Sequence, residues 1–197
     1  MDTLSHLKIS SILIDGLEKK TNTKISKLGF KIGSIMPDMG PHLRFKEHHI
    51  KKSNRHVKKH IHRLQSKRRG RFKSSYILGK TSHYLSDTFC FVHNHDMGKN
   101  VKQHYKYEKN LFMFLRSMSD DIGMRLTVEN SLHTGIGSGC LINYIAEKNK
   151  NYTLGYEGLT ALESLLNDIY HVCLHNLDVL SEMIFRSKVF SSVLDEE

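Results

Sequence analysis

Residues 157–187 read EGLTALESLLNDIYHVCLHNLDVLSEMIFRS. Leu159, Leu162, Leu165, Leu166, Ile169, Val172 and Cys173 recur there at three- and four-residue intervals, the spacing that lines one face of an α-helix. The start of the chain repeats the pattern. Residues 3–19 carry Leu4, Leu7, Ile14 and Leu17, with Thr3 or Ser5 as a cap. Between these ends the chain has only two prolines and is rich in Leu, Lys and Glu, which favours helix over sheet. The expected fold is all-α. A basic helix is expected over Ser53–Gln65, and a third runs from a cap at Ser74 or Ser75 through His83 to about Phe91. A fourth covers 100–118, and a fifth spans 125–148, interrupted near Gly135–Gly139. The segment 28–42, LGFKIGSIMPDMGPH, is punctuated by glycine and proline and reads as a loop.

At 197 residues the chain can bury a core of its own, and one domain over 1–197 is expected. Cys90, Cys140 and Cys173 have no metal-type spacing and sit among apolar neighbours, as reduced core cysteines do. No basic start followed by an unbroken apolar stretch marks a signal peptide, and no run approaches the roughly 18–20 apolar residues of a membrane span. A cytoplasmic location is expected. The net charge of +10 is concentrated in KKSNRHVKKHIHRLQSKRRGRFK (51–73). Such a segment is either a solvated helix face or a surface for phosphate, on an anionic membrane or on nucleic acid. Only Phe72 and Tyr76 lie near it, which argues against base stacking.

The densest chemistry is HYLSDTFCFVHNHDMGKNVKQHYKYE (83–108), with four histidines, two aspartates and a glutamate. His83 and Asp87 are four residues apart, so a helix brings their β-carbons to roughly 5–6 Å on one face. An imidazole and a carboxylate so placed can grip one metal ion. His104 and Glu108 repeat the arrangement on the next helix. His93, six residues past Asp87, would be rotated roughly 240° on a continuous helix. It therefore belongs beyond the helix end, where it can join His104 and Glu108 around a second ion. Two nitrogens, one carboxylate and an open position make a catalytic zinc arrangement. Further ligands for the first pair are available in Asp38, in His48 or His49, and in His6.

Five pieces, LSHLKISSILID (4–15), GSIMPD (33–38), HHIKKS (48–53), LGKTSHYLSDTFCFVH (78–93) and HYKYE (104–108), together resemble the zinc-dependent phospholipases C of bacteria. More distantly they resemble the single-strand-specific zinc nucleases of fungi and plants. The resemblance covers about residues 4–110, and the spacing of His83, Asp87 and His93 is its most specific element. It implies a helical bundle of that type with two or three zinc ions. One zinc would be held by Asp38, His48, His83 and Asp87, and a second by His93, His104 and Glu108. The third family ion uses an early histidine, matched by His6, the bridging aspartate, matched by Asp87, and the N-terminal residue. Here the first residue is Met rather than the family's Trp, only five residues precede His6, and no leader is seen whose removal would create that terminus. A weaker third site is therefore expected. The resemblance also implies phosphodiester hydrolysis, most like that of phospholipase C on phospholipid, with Asp38 taking a proton from the attacking water.

Two other readings compete. One is a zinc-dependent single-strand nuclease, slightly favoured by the basic segment. The other is a non-catalytic zinc-stabilised module whose basic face binds lipid or nucleic acid. His95–Asp96 has the look of a phosphohydrolase His-Asp pair but falls in an expected loop. Asp168, His171 and His175 share a helical face in an apolar helix and read as structural. GIGSGC (135–140) lacks the Gly-Lys-Ser/Thr of a phosphate loop. His56, His60 and His62 read as solvent-facing, and Tyr84, Phe89, Phe91, Tyr105 and Tyr107 as core and pocket walls.

Overall fold

The computed structural model describes residues 1–39, 50–94, 101–118, 141–155 and 158–187. Among these residues the chain forms α-helices and a 3₁₀ turn, with no strand, so the protein is all-α. The helices are α1 (Thr3–Thr21), α2 (Lys27–Ile35), α3 (Ile50–Ser66), α4 (Arg71–Thr88), α5 (Phe91–Asn94), α6 (Val101–Ser117), α7 (Leu141–Leu154) and α8 (Ala161–Phe185). The 3₁₀ turn Met36–Asp38 follows α2.

The long α8 begins where local chemistry dictates. Thr160 caps it, and Glu163 returns a bond to the Thr160 backbone in a capping box. Its face of Leu165, Ile169, Val172, Cys173, Leu177, Leu180 and Ile184 is buried, while Leu162 and Leu166 point outward. Helix α1 lies against it with Ile9, Leu13 and Leu17 buried, and a β-carbon on Gly16 would stand 2.9 Å from Leu177. The α1 cap is Asp2, whose carboxylate accepts from the Ser5 amide at 2.7 Å, rather than the expected Thr3 or Ser5.

Helix α2 occupies part of the segment expected to be a loop. Ser26 caps it, and its glycines serve as a contact surface rather than as breakers. A β-carbon on Gly33 would fall 2.2 Å from the Tyr76 carbonyl oxygen, and one on Gly79 of α4 only 2.0 Å from that of Phe30. The two backbones touch because no side chain stands between them. Helix α4 suits this role: Ser74, Ser75, Thr81, Ser82, Ser86 and Thr88 are all buried along it. Thr81 and Thr88 satisfy their hydroxyls by donating to the carbonyls of Ile77 and Tyr84, at 2.9 and 2.8 Å.

Helix α3 covers another side of α4 in the opposite direction. His56 stacks on Tyr84 at 4.5 Å between ring centroids, and His60 Nδ1 meets Thr81 Oγ1 at 3.0 Å. Val57, His60 and Leu64 face inward, while Arg55, Lys58, Lys59, His62 and Arg63 face outward. The expectation that His60 faces solvent is corrected: position 60 belongs to the apolar stripe of the helix. Tyr105 is also corrected, being 69% exposed. No described helix is long and apolar enough to cross a membrane.

Candidate metal centre

Helix α4 supplies the centre of the site. Four residues of α-helix put His83 and Asp87 on one face, where His83 Nε2 lies 3.3 Å from Asp87 Oδ2. Both are buried. The close approach of α2 then orients His83, whose Nδ1 contacts the Ser34 carbonyl oxygen at 2.9 Å. A carbonyl only accepts, so Nδ1 carries the proton and Nε2 is left with its lone pair. That nitrogen faces Asp87 and also Asp38, 3.5 Å away at the end of the 3₁₀ turn. From α1, His6 stacks on His83 with centroids 4.2 Å apart and brings its Nε2 to 3.4 Å from Asp87 Oδ1. This His6 nitrogen is buried and has no hydrogen bond of acceptable geometry.

The second group forms where α4 ends. The helix stops at Thr88, and α5 turns His93 back so that its Nε2 lies 3.5 Å from Asp87 Oδ1 and 3.6 Å from Glu108 Oε1. Helix α6 adds His104, 3.1 Å from Glu108 Oε1 across one turn. Donor atoms of His6, His83 and Asp87 lie within 4.8 Å of one another, as do those of His93, His104 and Glu108. Asp87 faces both groups. His6 thus shares a group with His83 and Asp87, and Asp38 borders it. His48, its alternative His49, and the His95–Asp96 pair lie outside the described residues.

The separations test whether these residues suit zinc. Ring nitrogens of His6, His83 and His93 stand 3.3–3.6 Å from carboxylate oxygens, too far for strong hydrogen bonds. Four ligands at about 2.0–2.1 Å around a tetrahedral ion stand about 3.3 Å from each other. The observed spacing and the nitrogen–carboxylate donor set both fit zinc. Electrostatics agree with the donor set. Burial alone would raise the Asp87 carboxyl, but the Met1 amine, His93 and His83 outweigh it and hold Asp87 well below the usual carboxylate range. Glu108 is lowered as well, the Met1 amine and His104 overcoming its burial. Burial and the Met1 amine lower His93, leaving it the neutral imidazole that metals require.

Met1 stands at the site although the N-terminal position is where the sequence departs from the family's third-ion pattern. Its amine lies 2.8 Å from Asp87 Oδ1 and 3.2 Å from Glu108 Oε1 and touches His93 Nε2, fully buried. The early departure from the family pattern does not keep this residue away from the site. Asp168 on α8, expected with His171 and His175 to be structural, is a buried carboxylate that accepts from three donors among the described residues. Phe91 N donates to Oδ2 at 3.0 Å, Tyr107 Oη to Oδ2 at 2.8 Å, and Tyr152 Oη to Oδ1 at 2.5 Å. His171 and His175, expected beside it, pair with each other at 3.1 Å, and His175 contacts Tyr144.

Comparison with curated proteins and with solved structures gave no match. Among protein families, the one described as zinc dependent phospholipase C matches residues 5–171, a span that takes in every residue of both donor groups. With most of its length matched and an all-α fold that presents histidine–carboxylate groups suited to zinc, the chain belongs to the zinc-dependent phospholipase C family.

Proposed function

We propose that this protein is a phosphodiester hydrolase that uses two or three zinc ions and acts on phospholipid. The observation that carries the reading is Asp87, a buried carboxylate facing two sets of donors at ligand-like separations. A phosphodiester repels hydroxide through its own charge, and bound zinc would offset that charge, acidify water and stabilise the departing alkoxide. The chain's own residues do the rest. His6, His83 and Asp87, with Asp38, would hold one side of the centre, and His93, His104 and Glu108 the other; His48, the further ligand expected for the first side, lies outside the described residues. Asp38 retains solvent access at 21% exposure and borders His83, which suits it to receive a proton from water. Buried Asp87 lacks that access. The outward cations of α3, with Lys67, Arg68 and Arg71 beyond it, would meet the anionic surface on which phospholipid is presented.

The test is elemental analysis of purified protein, followed by hydrolysis assays on phosphatidylcholine and on single-stranded DNA. The expected result is bound zinc, phosphatidylcholine turnover, and loss of both in Asp87→Asn. Cleavage of DNA but not lipid would identify a nuclease instead. Unfolding on chelation with no turnover of either substrate would identify a structural metal. Protein without zinc, indifferent to Asp87→Asn, would end the reading.

A further inference from the structure

We infer that Asp168 is a positioning residue for the second donor group, acting from α8 through the residues beside its ligands. The three ligands of that group come from two short-range contexts. His93 sits on α5, a single turn of helix, and His104 and Glu108 sit on α6. In the sequence residues 95–100 lie between the two elements. One oxygen of Asp168 ties them together. Its Oδ2 accepts from the backbone amide of Phe91, two residues before His93, and from the hydroxyl of Tyr107, the residue before Glu108. The Phe91 and Tyr107 rings also lie 5.8 Å apart, so the two anchors share an apolar contact. The other oxygen, Oδ1, accepts from Tyr152 on α7, a bond separate from the two that reach the ligand-bearing elements. Asp168 is 1% exposed, so these bonds act in a low-dielectric setting where charge-assisted hydrogen bonds are strong. His6 and His83, by contrast, are oriented by ring stacking and the Ser34 carbonyl.

The inference rests on the reading that His93, His104 and Glu108 hold a metal ion, and its effect is selective. Residues that orient metal ligands typically change affinity 10–100-fold when altered. Asp168→Asn and Tyr107→Phe should weaken the second ion by about that factor and leave the first unchanged. Tyr152→Phe removes the shortest bond to the same carboxylate but leaves the Phe91 and Tyr107 bonds to Oδ2 in place, so its zinc affinities should match wild type. A purely structural Asp168 would instead affect all three variants alike, in melting temperature and not in the ratio of the two affinities. The experiment is a zinc titration of the full chain against a chromophoric chelator, with circular dichroism of each variant beside it. If Asp168→Asn does not fold, Tyr107→Phe against Tyr152→Phe still decides. Two ions in wild type with equal affinities in Tyr107→Phe overturn this inference alone. A wild-type protein that takes up no second ion overturns the metal reading and this inference with it.

Discussion

Replacing Gly79 by alanine should damage the fold and the metal centre together. The added β-carbon would stand 2.0 Å from the Phe30 carbonyl oxygen and 3.0 Å from the Ser34 nitrogen, where real β-carbons essentially never come within 3.0 Å. The obstacle is backbone, so α2 must retreat by about 1 Å or more along that contact. Ser34 lies in the displaced turn, and its carbonyl holds His83 Nδ1 at 2.9 Å. Lengthened by about 1 Å, that bond leaves hydrogen-bond range. His83 then loses the partner that fixes its tautomer, and Asp38, on the turn after α2, moves off with it. Overpacking costs about 1–3 kcal/mol and the lost bond about 1 kcal/mol more. For a chain of this size, about 2–4 kcal/mol lowers the melting temperature by roughly 5–15 °C. Zinc at the His6–His83–Asp87 group should weaken about 10-fold or more. Thermal unfolding of the metal-free variant checks the first figure, and a zinc competition titration checks the second. Gly70→Ala is the control, since nothing lies within 4 Å of its added carbon. A Gly79→Ala protein that melts with wild type and binds zinc as tightly would refute the argument.

Two further outcomes are expected. Burial and then the charges of Lys80, His56, Arg63 and Lys59 depress His60 to about 3, so the folded state refuses a proton that the unfolded chain accepts below about 6.5. The stability this contributes is present above about 6.5 and is lost as pH falls toward 3, about 2 kcal/mol between pH 7 and pH 5. Urea unfolding at those two pH values should show that much less pH dependence in His60→Gln, and equal dependence in both proteins would contradict the assignment. Asp87→Ala should lose zinc from both groups and all activity, because its carboxylate faces both, whereas Glu108→Ala should chiefly weaken the second ion. Zinc stoichiometry decides, and full occupancy in Asp87→Ala beside an empty Glu108→Ala would reverse the roles.

Helical periodicity made α8 and α1 legible, and i,i+4 spacing made His83–Asp87 and His104–Glu108 legible, because both signals are local. His93 was reached by noting where a straight helix would carry it, and α4 does end before it. What failed was non-local. Gly29 and Gly33 looked like breakers because a glycine's worth lies in its neighbour, here the α4 backbone, and no pattern within 28–42 reveals that neighbour. His60 was grouped with His56 and His62 by residue type, although its register with Val57 and Leu64 put it inside. Asp168 and Met1 reach the centre only through tertiary packing, about 60 and 90 positions from the residues they join.

Helix α4 lies between α2 and α3 and carries His83 and Asp87, yet its buried side is largely serine, threonine and glycine rather than leucine. The usual equation of burial with oiliness fails there. Space, not polarity, is what its neighbours ration. A substitution scan of α4 would therefore rank residues by volume, with Ser→Ala mild and Ser→Leu severe wherever α2 presses close. Hydropathy would misjudge which segment of this chain tolerates change least.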